Sequence, residues 1–480
     1  MVDWSPDIKR YPHFDWDLKP AEIISLVTNT DRVKTNSFYP FLRYQQGWQP
    51  YRDVEGGKPD KKDRPIRFAS RRDAYIFAYY RHLLVPPYED ALRARAVDSS
   101  VLAYRKLVDA SGAGKSNIEF ARDAFLKVRE LGSCGVVALD IKSFFESLDH
   151  EHLAKKWKGL LDVEELPGDH RAVFRAVTQY RVVERDAAYE RLGHSERKIV
   201  HGRERLVPKT KFGEMPRKLC SNREFREKIC GSTGKFSNLV EKNPNDFGIP
   251  QGSPISDLLA NLYMIDFDSA MVKECGDVGG TYYRYSDDIL LVVPGGASHA
   301  AAILEIAQRA LAHQAPRLTF KPAKTSVHVF ERDGDNQKFE RIEGELGRNG
   351  LEYLGFRYDG RCIRVRDATV SGLYRKVTAG LRAECAALVA RYPGKDHAFL
   401  LEKFDFPGFL ERHGRVEDFS PDKDYDNWTF WTYAKRAMAR FGPLGRTMAR
   451  QLRNYKRIVR ERVSKDLADR LQPAVRSSGA

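Results

Sequence analysis

The sequence predicts an α+β fold: an antiparallel sheet that presents three carboxylates, followed after about residue 370 by an all-helical region. Three observations predict it. The apolar, β-rich runs Gly135-Val-Val-Ala-Leu-Asp140 and Ile289-Leu-Leu-Val-Val293 each abut acids. Between Thr281-Tyr-Tyr-Arg-Tyr285 and the second run lie only Ser286, Asp287 and Asp288, which reads as a hairpin with two acids at its tip. From residue 371 onward, helical periodicity replaces the strand signals.

The other elements follow in chain order. Residues 50–72 are basic and rich in turn formers, and Asp73 to Leu84 reads as a helix. Residues 117–131 form an amphipathic helix with Ile118, Phe120, Ala121, Ala124, Phe125 and Val128 on or near one face. The stretch 150–245 is mixed, with helices early and a basic middle. A strand pair is expected at 351–366, turned by Asp359-Gly360. Among the helices beyond, Trp431 to Arg460 holds nine Lys or Arg and no acid. That run reads as a surface for a phosphate backbone, with Lys435, Arg436, Arg450, Arg453, Lys456 and Arg457 as its candidates.

Length 480 predicts more than one structural unit. A formal charge of +15 suits a polyanionic partner such as nucleic acid, or an anionic membrane surface. No apolar stretch is long enough for a bilayer span, and the start MVDWSPDIKR lacks a signal-peptide run, so the cytoplasm is expected and a membrane is not. The six cysteines have no metal-site spacing and read as buried free thiols.

A strand-end Asp140 beside the Asp287-Asp288 pair is the arrangement that two divalent cations about 3.5–4 Å apart require. The loop Gly248-Ile-Pro-Gln-Gly-Ser-Pro-Ile-Ser256, running into Leu-Leu-Ala-Asn-Leu-Tyr263, can bring backbone and Gln251 close to a ligand.

The order of Asp140, this loop, Tyr285-Ser-Asp-Asp288, Lys324 and Tyr353-Leu-Gly-Phe356 resembles that of reverse transcriptases. The resemblance implies a right-hand polymerase: an extension at 1–36, fingers at 37–133, a palm at 134–368 with an insert at 150–245, and a thumb at 369–480. It implies RNA-directed DNA synthesis from dNTPs with Mg2+, or Mn2+ in its place, on Asp140, Asp287 and Asp288. Lys324 corresponds to the lysine near the leaving pyrophosphate, and Phe145 to the steric gate against a ribose 2′-hydroxyl. Arg64 and Arg67, with Lys62, correspond to the triphosphate-holding fingers segment. Tyr353, Leu354, Gly355 and Phe356 correspond to the primer grip.

Asp257 stands where intron and many retron enzymes have proline, and Val377-Thr-Ala379 is not the retron signature. Leu259-Ala-Asn-Leu-Tyr-Met264 and Tyr353-Leu-Gly-Phe-Arg-Tyr-Asp-Gly360 are instead similar to bacterial defence-associated and abortive-infection reverse transcriptases. That similarity implies anti-phage defence with a noncoding RNA partner, and leaves a homo-oligomer or an accessory defence protein open. Two alternatives stay open. One is a template-independent or protein-primed DNA polymerase, with Tyr425, Tyr433 and Tyr455 as available hydroxyls. The other is a catalytically silent RNA-binding scaffold.

Overall fold

The computed structural model describes residues 3–48, 62–200, 203–345, 347–413 and 429–471. The chain groups into two compact units, and both are assembled from separated stretches. The first takes residues 1–104, 141–274 and 305–320; the second takes 105–140, 275–304 and 321–480. The two units interleave in sequence because strand pairing joins segments far apart along the chain.

The described strands, in chain order, are β1 (Phe41–Trp48), β2 (Lys62–Phe68), β3 (Cys134–Asp140), β4 (Arg181–Glu184), β5 (Ser195–Val200), β6 (Arg203–Pro208) and β7 (Glu241–Lys242). There follow β8 (Thr281–Tyr285), β9 (Asp288–Pro294), β10 (Ser326–Asp333), β11 (Asn336–Glu343), β12 (Leu351–Tyr353), β13 (Phe356–Tyr358) and β14 (Ile363–Val365).

In the first unit the sheet order is β2-β1-β4-β7, with β4 parallel to β1, and β5 and β6 form a separate ribbon. The basic middle of the 150–245 stretch is that ribbon, while β4 and β7 from the same stretch complete the sheet begun by β1 and β2. The helix expected at 73–84 runs from Arg71 to Ala94 and continues through Pro86 and Pro87.

The second unit is built on the antiparallel sheet β11-β10-β3-β9-β8. Helix Asn117–Leu131 lies against it as the periodicity predicts, burying Ile118, Ala121, Phe125 and Val128 with Val136, Leu290 and Val292. Each such side chain contributes about 1.5–3 kcal/mol on burial. Ser116 and Glu119 close a capping box at its start. After Val365 every described element is helical. Leu373, Val377, Leu381 and Cys385 recur at four-residue spacing on Asp367–Arg391 and share a core with Tyr455, Val459, Val463 and Leu467 of Tyr455–Leu471.

The expected strand pair at 351–366 is a three-stranded meander. Besides the turn at Asp359-Gly360 there is a tighter one at Leu354-Gly355, between β12 and β13. All six cysteines are free, four buried and two, Cys230 and Cys362, half-buried. Among the described residues no helix is long and apolar enough to cross a membrane.

Candidate active site

Strand pairing places the predicted acids. Asp140, the last residue of β3, lies directly opposite Asp288, the first residue of β9. Tyr285 also pairs with Asp288, so β8 and β9 are joined through Ser286 and Asp287 alone. Two-residue hairpins need positive φ in the turn, and Ser286 takes it at 61°. Arg284, fully buried beneath the turn, donates to the Ser286 carbonyl at 3.2 Å.

Asp140 is 5% exposed. Its carboxylate pairs with the ammonium of Lys324, carried on the single turn Pro322–Lys324, and its carbonyl accepts from the Lys321 amide at 2.8 Å. Burial pushes the Asp288 carboxyl up to about 7, Asp287 and Asp140 add to the rise, and Lys324 and Arg366 pull the other way. The cluster thus carries more negative charge than its two cations offset.

Among the described residues no three His, Cys, Asp or Glu side chains stand together as a metal-holding group. The donor set nonetheless suits Mg2+ or Mn2+, being carboxylate oxygen throughout, and the raised Asp288 carboxyl marks a place where added positive charge would be favourable.

The β12–β13 turn bends at Leu354 (φ 46°) and Gly355 (φ 93°). Asn117, the first residue of its helix, donates to the Leu354 carbonyl at 3.0 Å and the Tyr433 hydroxyl at 2.9 Å. The Tyr433 ring stacks on Phe356 at 5.7 Å and 21°. Tyr353 is buried, and its hydroxyl has no hydrogen-bond partner among the described residues.

In the first unit, backbone hydrogen bonds stitch three other predicted residues together. The Arg67 amide donates to the Gln251 carbonyl at 2.9 Å, and the Ile249 amide donates to the Phe145 carbonyl at 2.8 Å. Gly252 is required here: its φ is +110°, and a Cβ would stand 2.6 Å from the Arg67 carbonyl oxygen. Phe144 is buried and Phe145 only half-buried. Asp257 has its own partner, since Arg81 holds its carboxylate at 3.0–3.2 Å.

Two of the predicted basic residues are engaged within the protein. Arg67 is 5% exposed, its guanidinium bonded to both oxygens of Glu146 and lying 5.3 Å from the Tyr180 ring centroid. Arg64, on the same strand, is exposed, while residues 49–61 and the Lys62 side chain lie outside the described residues. Arg436 is half-buried and reaches Glu119 at 3.1 Å. Arg450, Arg453 and Lys456 are exposed; Arg457, also exposed, pairs with Glu461 at 2.8 Å, and Lys435 is half-buried.

Of the priming hydroxyls, Tyr455 is 1% exposed and donates to the His413 carbonyl at 3.3 Å, and Tyr433 is bonded to Asn117. Tyr425 lies outside the described residues.

Sequence reasoning missed Asn117, Arg284 and Arg366. Arg284 had a signal: in Thr281–Tyr285 it alternates onto the same buried face as Tyr282. Asn117 and Arg366 had none, since their partners are fixed only by the fold.

Residues 203–358 match the family described as "Reverse transcriptase (RNA-dependent DNA polymerase)". That match covers about a third of the chain. The matched stretch holds the Gly248–Ser256 loop, Asp287, Asp288, Lys324 and the Leu354-Gly355 turn, and the α+β fold with its antiparallel palm sheet and helical thumb is that of a right-hand polymerase.

Among solved structures, apo telomerase from Candida tropicalis is 11% identical over 90% of this chain and 64% of its own, with TM-score 0.40. A form truncated from its C-terminal domain is 9% identical over 72% and 60%, with TM-score 0.38. Telomerase from Candida albicans with a TWJ fragment of telomeric RNA is 12% identical over 91% and 64%, with TM-score 0.33. This chain therefore spans 60–64% of the length of those chains, and a likeness at these TM-scores carries no argument about it. No curated protein matches the sequence.

Proposed function

We propose that this protein is an RNA-directed DNA polymerase that extends a primer with dNTPs, acting in bacterial anti-phage defence with a noncoding RNA partner in the cytoplasm. The observation that carries the polymerase reading is the register of one sheet: Asp140 opposite Asp288, with Asp287 in the adjoining turn of a reverse transcriptase domain. The defence role rests on the resemblance of the Leu259–Met264 and Tyr353–Gly360 segments.

Asp140, Asp287 and Asp288 would hold Mg2+ or Mn2+, which when bound supplies Lewis acidity toward phosphate oxygens. Lys324, one-third exposed, offers its ammonium to the departing pyrophosphate. Phe145 excludes a 2′-hydroxyl, and Gln251 and Arg64 contact the incoming nucleotide. The Leu354-Gly355 turn supports the primer end by backbone and packing. Arg450, Arg453 and Lys456 present exposed charge to the nucleic-acid backbone.

The test is to purify the protein from its host with its copurifying nucleic acid, add labelled dNTPs and magnesium, and sequence the product. DNA complementary to one copurifying RNA, absent with Asp287→Ala plus Asp288→Ala, is the expected result. A random or homopolymer product lost in the double variant would replace the templated reading with untemplated synthesis. No product, with a defence phenotype that survives the double variant, would leave only an RNA-binding scaffold.

A further inference from the structure

Residues 181–242 hold sixteen Lys or Arg against nine Asp or Glu, close to half of the chain's excess positive charge. None of them has a part in the chemistry proposed above. At their centre stands the β5–β6 ribbon, which belongs to none of the three larger sheets. Side chains alternate along a strand, and residues directly opposite one another share a face, so the register divides the ribbon in two.

One face carries Arg197 opposite Leu206 and Ile199 opposite Glu204. Its charge is spent internally. Arg197 donates to the two carboxylate oxygens of Glu190 at 2.7 and 3.2 Å and to Glu204 at 3.4 Å. The other face carries Lys198 directly opposite Arg205, and Glu196 opposite Val207. Like charges facing each other across a ladder weaken it. The one described acid there, Glu196, is shared, lying 2.6 Å from Lys198 and 3.9 Å from Lys209. Arg205 and the nearby Lys211 are exposed and pair with no acid among the described residues.

We propose that this face of the β5–β6 ribbon docks the phosphate backbone of an RNA, with Lys198, Arg205 and Lys209 as the contacting cations and Lys211 beside them. The choice of RNA rests on the RNA-directed reading above; the choice of a polyanion rests on the ribbon itself. A cation pair that opposes folding of the free ribbon is relieved when a phosphate comes between its members. A protein partner fits less well, because protein interfaces are built around an apolar centre depleted of charge. Among the described side chains the apolar residue on this face is the half-buried Val207, while the exposed Ile199 lies on the opposite side.

The experiment measures binding of a mixed-sequence RNA hairpin across a salt series, without dNTPs or divalent metal. The wild type is compared with Lys198→Ala, Arg205→Ala, Lys209→Ala combined. Each phosphate contact contributes about 0.7–0.9 to the slope of log affinity against log salt. The triple variant is therefore expected to lose about 2 to 3 from that slope and roughly tenfold or more in affinity at low salt. Circular dichroism should show its fold intact, and Arg205→Gln alone should lower the slope by about 1. Asp287→Ala with Asp288→Ala should keep the full slope, so a failed polymerase reading would not be mistaken for a failed ribbon. An unchanged slope in the triple variant would overturn the proposal, as would loss of a copurifying protein with RNA affinity intact. Equal competition by a DNA duplex of the same sequence would overturn the assignment to RNA.

Discussion

A buried and a half-buried carboxylate of the same compact unit sit in opposite electrostatic surroundings. Glu119 is 1% exposed; Arg436 and Arg440 reach one of its oxygens at 3.1 and 3.2 Å, and the Ser116 amide donates to the other at 2.8 Å. Burial pushes its carboxyl up, but the Ser116 hydrogen bonds and Arg436 outweigh that, and it ends below its ordinary value. Asp288, half-buried, rises to about 7 through desolvation first and then through Asp287 and Asp140, against Lys324 and Arg366. Where an acid serves the fold, its charge is met within the protein. Where the carboxyl is raised, as at Asp288, added positive charge would be favourable.

The largest expected effect comes from dismantling the unbalanced cluster. Asp287→Ala with Asp288→Ala should lower nucleotide incorporation by roughly a thousandfold or more, because two of the three oxygen-donor residues are lost. Product formation near the wild-type level would place the chemistry elsewhere.

The balanced cluster should respond in stability. Glu119→Ala leaves two arginines facing an emptied pocket, and should cost about 3 kcal/mol in chemical denaturation. A cost below about 0.5 kcal/mol would mean that Glu119 is no more than a surface acid.

Asp288→Asn should separate the two cases by sign. The folded protein holds a proton on Asp288 that the unfolded chain releases once pH passes 3.8, so this group's contribution falls as pH rises from about 4 to about 7. Asp288→Asn should therefore flatten that decline and stabilise the metal-free protein above pH 7 by on the order of 2 kcal/mol, while synthesis is lost. Destabilisation at that pH would contradict the charge balance.

Smallest is the effect of Asn117→Ala, which removes the donor to the Leu354 carbonyl and the Tyr433 hydroxyl. A net loss of about 1 kcal/mol in holding the turn should raise KM for primer–template about fivefold and leave kcat at saturation near its original value. A fall in kcat with KM unchanged would detach Asn117 from primer support.

Much of this contrast was legible in the sequence, and the rest was hidden for physical reasons. Asp140, Asp287 and Asp288 were readable because each follows or precedes an apolar run, and strand periodicity then puts them at strand ends. The helix at 117–131 was readable from its apolar spacing and its Ser116–Glu119 cap. The turn at Leu354-Gly355 was not, because leucine rarely adopts positive φ and Asp359-Gly360 carries the stronger turn signal. The helix through Pro86 and Pro87 was cut short in the reading, since proline ordinarily ends one. Arg67 and Arg436 looked like free cations because Glu146 and Glu119, which claim them, lie far away in sequence.

The most direct test of the central claim is thermal unfolding near pH 8 with increasing Mg2+, on the wild type and on Asp287→Ala with Asp288→Ala. If the acids await a cation, wild-type Tm should rise with Mg2+ and the double variant's should not. Equal responses in the two proteins, or none in the wild type, would contradict it.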